Sequence, residues 1–274
     1  MKKIYVVTVT TGKRHPSIFK KSLRSLRNAI SHAKNMVWFS ACDVSIKHII
    51  YLNCDNQEDF QKTFGIISLE SPNSIILFDD SRKNIGIAAA LNRCNEFISK
   101  NGSCDLVLKM DDDVFIYNEE NFFELALEIH DQYPNMVFSP YPVGLINNPG
   151  GPPAVSRFVY NSATMFPLTF RRVRHVGGMC RFSPFKIFES FKFNNDLIPG
   201  VSGDEDGQLS TYCLHNSIEM CYLENGLVAE HAYSTLGQVV IDREYFSDRQ
   251  FESSVDIEVH IPKIRTRIYD GNDW

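Results

Sequence analysis

Residues 106–114 read Leu-Val-Leu-Lys-Met-Asp-Asp-Asp-Val, an apolar run that passes directly into three aspartates. The run predicts a buried strand over 106–110. Three carboxylates at its end repel one another unless a cation, protons or water relieve them. A divalent cation is the economical solution. In an extended backbone side chains alternate, so Asp111 and Asp113 face one side together while Asp112 points away. Mg²⁺ and Mn²⁺ both take oxygen ligands and leave positions open for a substrate diphosphate. The competing reading is a solvated turn or a helix N-cap.

Upstream, residues 4–10 form a β-branched strand, followed by a turn at Thr11-Gly12-Lys13 and a helical pattern carried by Ile18, Phe19, Leu23, Leu26 and Ile30. Residues 48–53 predict a second strand ending at Cys54-Asp55-Asn56, and 74–78 a third ending at Asp79-Asp80. A helix starts near Gly86. Such alternation implies an α/β domain with a mostly parallel central sheet flanked by helices, whose ligands bind beyond the carboxyl ends of the strands. The acidic clusters at 55, 79–80 and 111–113 all sit at such ends. Downstream, 121–130 predicts a helix, and 140–153, rich in Pro, Gly and Asn, a long loop. Gly177-Gly178 precedes a strand around 179–182, and Pro184 opens a helix through Phe188. Gly203-Asp204-Glu205-Asp206 precedes a helix over 209–214, so its carboxylates lie where the helix dipole favours negative charge.

The 274 residues, 43% of them hydrophobic, suit one large domain. A net charge of -5 and a pI near 5.9 argue against a nucleic-acid partner. The seven cysteines are odd in number and lack CxxC spacing, which fits free thiols in a reducing cytoplasm better than a disulfide framework or a zinc site. The N-terminal apolar run is too short for a signal peptide, and no later stretch reaches the length of a membrane span. The expectation is a cytoplasmic protein, with peripheral contact on the inner face of the cell membrane left open and the oligomeric state unspecified.

Four elements occur in order: VVTVTTGKR at 6–14, YLNCDN at 51–56, NIGIAAALN at 84–92 and KMDDDV at 109–114. Two more follow, VGGMCRFSPFKIF at 176–188 and GDEDGQLS at 203–210. Over most of residues 4–233 the chain thereby resembles an inverting family 2 glycosyltransferase of the GT-A, Rossmann-like fold. The resemblance implies a nucleotide-sugar donor, most readily a UDP-sugar. Thr8, Thr10, Asp55, Arg82, Asn84, Gly86, Asn92, Asp111, Asp112 and Gly178 are then its donor-side residues. Asp55 would meet the base, and Arg82 with Lys83 the phosphates. Asp111 and Asp113 would bind Mn²⁺ or Mg²⁺, with His231 of AEHAYS as a further ligand or else a structural histidine on a loop. Asp206 would be the catalytic base and Glu205 its neighbour, with Asp204 the alternative. Residues 1–115 would form the nucleotide-sugar half, 116–246 the acceptor and catalytic half, and 247–274 a C-terminal extension.

The chemistry requires such groups, because an acceptor hydroxyl is a poor nucleophile until a carboxylate takes its proton. Charge on the leaving nucleoside diphosphate calls for a metal. The acceptor would be a glycan or a lipid-linked saccharide, as in lipopolysaccharide or capsule assembly. Two basic groupings, Lys13, Arg14, Lys20, Lys21, Arg24 and Arg27, and Arg171, Arg172, Arg174 and His175, read as solvated faces or as contacts to a diphosphate or an anionic membrane. A sugar nucleotidyltransferase is the alternative enzyme, disfavoured because GKRHPS is a poor Gly-rich phosphate loop. A non-catalytic nucleotide- or sugar-binding relative is the alternative outside enzymes.

Overall fold

The run Leu106–Met110 is strand β4, and all five of its residues are buried, as befits a strand covered on both faces. The computed structural model describes residues 2–35, 43–79, 83–102, 104–117, 119–143, 153–163, 166–194 and 205–232. Parallel to β4 lie β1 (Lys2–Thr10), β2 (Val44–Leu52) and β3 (Ile75–Phe78). Beyond β4 come β10 (Cys180–Pro184), β6 (Val137–Ser139), β11 (Met220–Leu223), β9 (Leu168–Arg172) and β8 (Ser156–Tyr160), giving the order β3-β2-β1-β4-β10-β6-β11-β9-β8. Only β10 and β9 oppose the other seven strands. The α/β expectation of a mostly parallel sheet is met.

Helices α1 (Pro16–Asn35), α2 (Gln57–Glu70) and α4 (Phe122–Gln132) cover one face, with Leu26, Ala29, Phe122 and Phe123 packed on Ile4, Leu108 and Phe182. Helices α3 (Ile87–Lys100), α5 (Ile187–Ser190) and α6 (Glu205–His215) cover the other, with Ala90, Leu91, Leu209 and Cys213 on Tyr5, Val7, Val107 and Tyr222. Alternation along β4 therefore turns Leu106, Leu108 and Met110 toward α1 and α4, and Val107 and Lys109 toward α3 and α6. A second sheet, β5-β12-β7, joins β5 (Val114–Ile116), β12 (Val228–His231) and β7 (Tyr141–Val143) at the carboxyl edge.

Three readings need correction. Pro184 ends β10 instead of opening a helix, and α5 starts at Ile187. β6 pairs with β10 at Phe182 alone, so a proline two residues on is tolerated at the frayed side of the strand. The segment 140–153 is not all loop: Tyr141–Val143 pairs with Val228, Ala229 and Glu230, while 144–152 lie outside the described residues. The backbone after β4 is a turn at Asp112 and Asp113, not a continued strand. The six described cysteines are free thiols, as expected.

Candidate functional site

That turn sends the chain into β5, which pairs antiparallel with β12 so that His231 faces Val114. His231 is thereby brought onto the aspartates: its Nε2 lies 3.3 Å from Asp113 Oδ1. Asp111, Asp113 and His231 each offer a ligand atom, all within 4.8 Å of one another. Asp111 and Asp113 do converge, through turn geometry instead of strand alternation. Asp113 is fully buried and neither carboxylate oxygen accepts a hydrogen bond, its charged neighbours being the Arg14 guanidinium and His231. Buried carboxylates ordinarily find donors or a metal, so two carboxylates and an imidazole around this group fit a divalent cation.

Arg14, at the β1–α1 connection, reaches the same cluster. Its Nε donates to Asp112 Oδ1 at 2.8 Å, and its Nη2 lies 2.8 Å from Asp113 Oδ2. Burial works against the Arg14 charge, but Asp112 and Asp113 more than offset it and raise its pKa. Asp113 responds oppositely: burial pushes its carboxyl up to about 6, against the pull of His231. The asymmetry follows from solvent, since the Arg14 side chain is 39% exposed and Asp113 is 0% exposed.

A second carboxylate centre lies on the α3/α6 side of β4. Lys109 Nζ bonds Asp111 Oδ1 at 2.5 Å. Burial opposes its charge, but Asp111, Asp206 and Glu205 raise its pKa overall. Asp206, in the first turn of α6, accepts from the Gly178 amide at 2.6 Å and from Arg181 Nη1 at 2.8 Å. Burial would raise its pKa, yet Arg181 and Lys109 together hold it below the usual carboxylate value. Glu205 differs. Burial raises its pKa, and its Oε2 accepts no hydrogen bond. A Cβ on Gly178 would come within 2.2 Å of Asp206 Oδ1 and 2.7 Å of Lys109 Nζ, so only glycine permits this approach. Asp204 lies outside the described residues.

The expected donor residues divide. Asp55 pairs with Lys13 and with the Asn84 side chain, which hold its carboxyl below its ordinary value. Asn84 Oδ1 accepts from the Gly86 amide at 2.9 Å, and Gly86 has φ 84°, open to glycine at little cost. Thr10 Oγ1 accepts from the Gly12 amide at 3.3 Å. Thr10, Asp55, Asn84 and Gly86 therefore line the carboxyl edge of β1, β2 and β3. Thr8 instead contacts His48 Nε2 at 3.2 Å inside the sheet, where burial drops the His48 pKa to about 3. Asn92 binds the backbone of Phe193 in both directions, at 2.8 and 3.0 Å. Arg82 lies outside the described residues.

Neither a protein-family model nor a curated protein sequence matches the chain. Solved structures do. GalNAc-T7, solved with UDP, GalNAc and Mn²⁺, superposes with TM-score 0.60 at 12% identity, covering 98% of this chain and 54% of that one. S. aureus TarS 1-349 gives 0.53 at 12% identity over 99% of this chain and 74% of that one. The same segment in complex with UDP-GlcNAc gives 0.52 at 13% identity, covering 99% of this chain and 66% of that one. The chain has the GT-A glycosyltransferase fold. It spans about half the length of the GalNAc-T7 chain it matches.

In this GT-A fold the candidate site also draws in Lys109, Arg181 and Tyr222, to which the sequence motifs do not point, and Arg14, which in the sequence reads as part of a basic face. A signal existed for two of them: a lysine inside LVLKM and an arginine inside CRFSP are charges in otherwise apolar strands, which need a buried partner. No helix among the described residues is long and apolar enough to cross a membrane.

Proposed function

We propose that this chain is an inverting glycosyltransferase that moves a sugar from a UDP-sugar to a hydroxyl of a saccharide acceptor. The observation that carries this reading is the junction of two carboxylate centres through Lys109. Asp111 of the cation cluster bonds Lys109, and Lys109 Nζ and Asp206 Oδ1 both crowd the one point where a Gly178 Cβ would sit. A site for diphosphate charge thus borders a site for proton removal.

Asp111, Asp113 and His231 would hold the cation, Mn²⁺ being favoured over Mg²⁺ by the imidazole nitrogen. When bound it supplies charge for the donor diphosphate and its developing negative charge. Asp55, Asn84 and Thr10 border the place for the nucleoside, and residues 1–115 form the donor half on this reading. Asp206 takes the proton of the acceptor hydroxyl as its oxygen bonds C1 of the sugar and the bond from C1 to the diphosphate oxygen breaks, so the anomeric centre inverts. Between the two neighbouring acids, access favours Asp206, which is half-buried whereas Glu205 is buried. Arg181 and the Gly178 amide keep it ionised and aimed. A glycan or lipid-linked saccharide would approach from the side of residues 116–246. Bacterial surface-polysaccharide assembly at the inner face of the membrane is the setting that the sequence resemblance suggests.

Thermal unfolding with UDP-, GDP-, CMP- and dTDP-sugars, each with Mn²⁺ or EDTA, tests the donor site, because a ligand bound only by the native state raises Tm. A shift for one nucleotide that EDTA abolishes is expected. Absence of any shift at saturation would refute the donor assignment. Asp206→Asn should keep that shift and lose release of nucleoside diphosphate; release of pyrophosphate by the wild type would point to nucleotidyl transfer instead.

A further inference from the structure

Lys13 and Arg14 follow each other in the β1–α1 connection and reach different acids of the site. Lys13 pairs with Asp55, beyond the end of β2, whereas Arg14 meets the turn after β4. The connection that aims them is held in place. Gly12 has φ 77°, and a Cβ there would come within 2.8 Å of Thr63 Oγ1 and 3.1 Å of the Asp59 carbonyl oxygen, so the chain lies against α2 where only glycine fits.

The turn that Arg14 meets has its backbone fixed at both ends. The Asp111 amide donates to the Met179 carbonyl at 2.9 Å, and the Asp113 carbonyl accepts from the Ala232 amide at 2.9 Å. Those bonds leave the Asp113 side chain to be oriented, and neither of its oxygens accepts a hydrogen bond. Two neighbours divide the oxygens between them: Oδ1 lies 3.3 Å from His231 Nε2, and Oδ2 lies 2.8 Å from Arg14 Nη2. Arg14 Nε is anchored on Asp112 Oδ1 at 2.8 Å, so one planar guanidinium ties the side chains of two successive residues into one geometry. Asp112 also offsets the guanidinium charge, which leaves direction as the main thing that Arg14 imposes on Asp113.

We infer that Arg14 is a positioning residue for the cation site: by holding Asp113 Oδ2 it leaves Oδ1 turned toward His231, where Asp111, Asp113 and His231 would share the ion. This rests on the cation assignment above. Groups that orient metal ligands from behind are commonly worth ten- to a hundredfold in metal affinity. Arg14 carries charge of the same sign as the ion, so a role through charge alone would have the opposite effect.

The test titrates the full chain with Mn²⁺ alone, at a pH well above the Asp113 pKa of about 6, by calorimetry and by EPR of the bound ion. Arg14→Gln should weaken Mn²⁺ binding by about ten- to a hundredfold, although it removes a positive charge. Arg14→Lys keeps the charge but lacks the fork, so it should weaken binding nearly as much, and both variants should change the EPR spectrum of the ion still bound. Asp112→Asn releases the Nε anchor and should cost less in the Arg14→Gln background than alone, the coupling expected of residues that act through one contact. Tm in EDTA shows that each variant is folded, and Arg14→Lys carries the test if Arg14→Gln does not fold. Tighter binding by Arg14→Gln would make the arginine a rival charge, and wild-type affinity in Arg14→Lys would reduce its role to charge. Unchanged affinity and spectrum with a lowered Tm would make it structural, and additive costs with Asp112→Asn would separate the two residues; any of these overturns the inference. Asp113→Ala reads the cation site itself. Mn²⁺ binding that survives Asp113→Ala, or that the wild type lacks, refutes the cation assignment and the role of Arg14 with it, whereas binding lost in Asp113→Ala but untouched by the Arg14 variants refutes the positioning role alone.

Discussion

At Asp113 burial of a single carboxyl opposes its ionisation. Its pKa, ordinarily 3.8, is about 6 in the folded chain. Between those values the native state binds the proton more tightly than the unfolded state, so its contribution is present below about pH 4 and lost as pH rises through about 6. In EDTA, Asp113→Asn should therefore gain stability relative to wild type across that window, with the difference read from urea unfolding at each pH. The same variant should lose the Mn²⁺-dependent Tm shift with UDP-sugar. A stability difference independent of pH would mean that Asp113 is not the buried titrating group described. Gly178 carries the second residue-scale prediction. With Asp206 Oδ1 only 2.2 Å from an added Cβ, Gly178→Ala should destabilise by about 1–3 kcal/mol, as overpacking does, and should reduce turnover more than donor binding.

Among the elements, α3 shows how a residue can match a motif and serve the architecture. Asn92 joins α3 to the backbone of Phe193 through its side-chain amide, Nδ2 donating to the Phe193 carbonyl and Oδ1 accepting from the Phe193 amide, and Phe193 is buried. Asn92→Ala should cost about 1–3 kcal/mol by leaving buried backbone groups unsatisfied, measurable by denaturation, while UDP affinity with Mn²⁺ stays within about twofold; a selective loss of UDP affinity at unchanged stability would return Asn92 to the donor site. Which elements could be read from the sequence follows from their burial. β4 was legible to the residue because four of its five consecutive buried positions, all but Lys109, are apolar. The α1 pattern was legible because Ile18, Phe19, Leu23 and Leu26 repeat at helical spacing and are all buried. The helix α2 escaped because it buries only Thr63, Ile67 and Glu70, too few apolar residues to set a period. The three-residue strands β5 and β7 are too short to alternate visibly, so the pairing that carries His231 to Asp113 could be expected only from resemblance. Nothing local in VFI or YPV announces a partner near residue 229.

Across the whole molecule, the proposed division into a donor half and an acceptor half is not a division of the packing. β4 pairs with β10 over five residues, from Leu106↔Pro184 to Met110↔Cys180, and this seam runs through the middle of the nine-stranded sheet. One core cluster contains Ile4, Val6 and Leu108 together with Phe182, Cys221 and Leu227, and the other joins Tyr5 and Val107 to Leu209 and Tyr222. Unfolding either half alone would expose the buried flank of the other, at roughly 25 cal/mol for each Å² of apolar surface. The groups of the candidate site straddle the same seam: Lys109 and Asp111 come from one side, and Gly178, Arg181, Asp206 and His231 from the other. A ligand bound there should therefore protect both sides together. Hydrogen exchange with UDP and Mn²⁺ should slow the slowest amides of β1 and of β11 by a common factor, as expected when both exchange through one global opening. Protection confined to β1 through β4 would show that the halves open separately, and that the donor stabilises a subunit of the fold that the shared core does not bind as tightly as its packing implies.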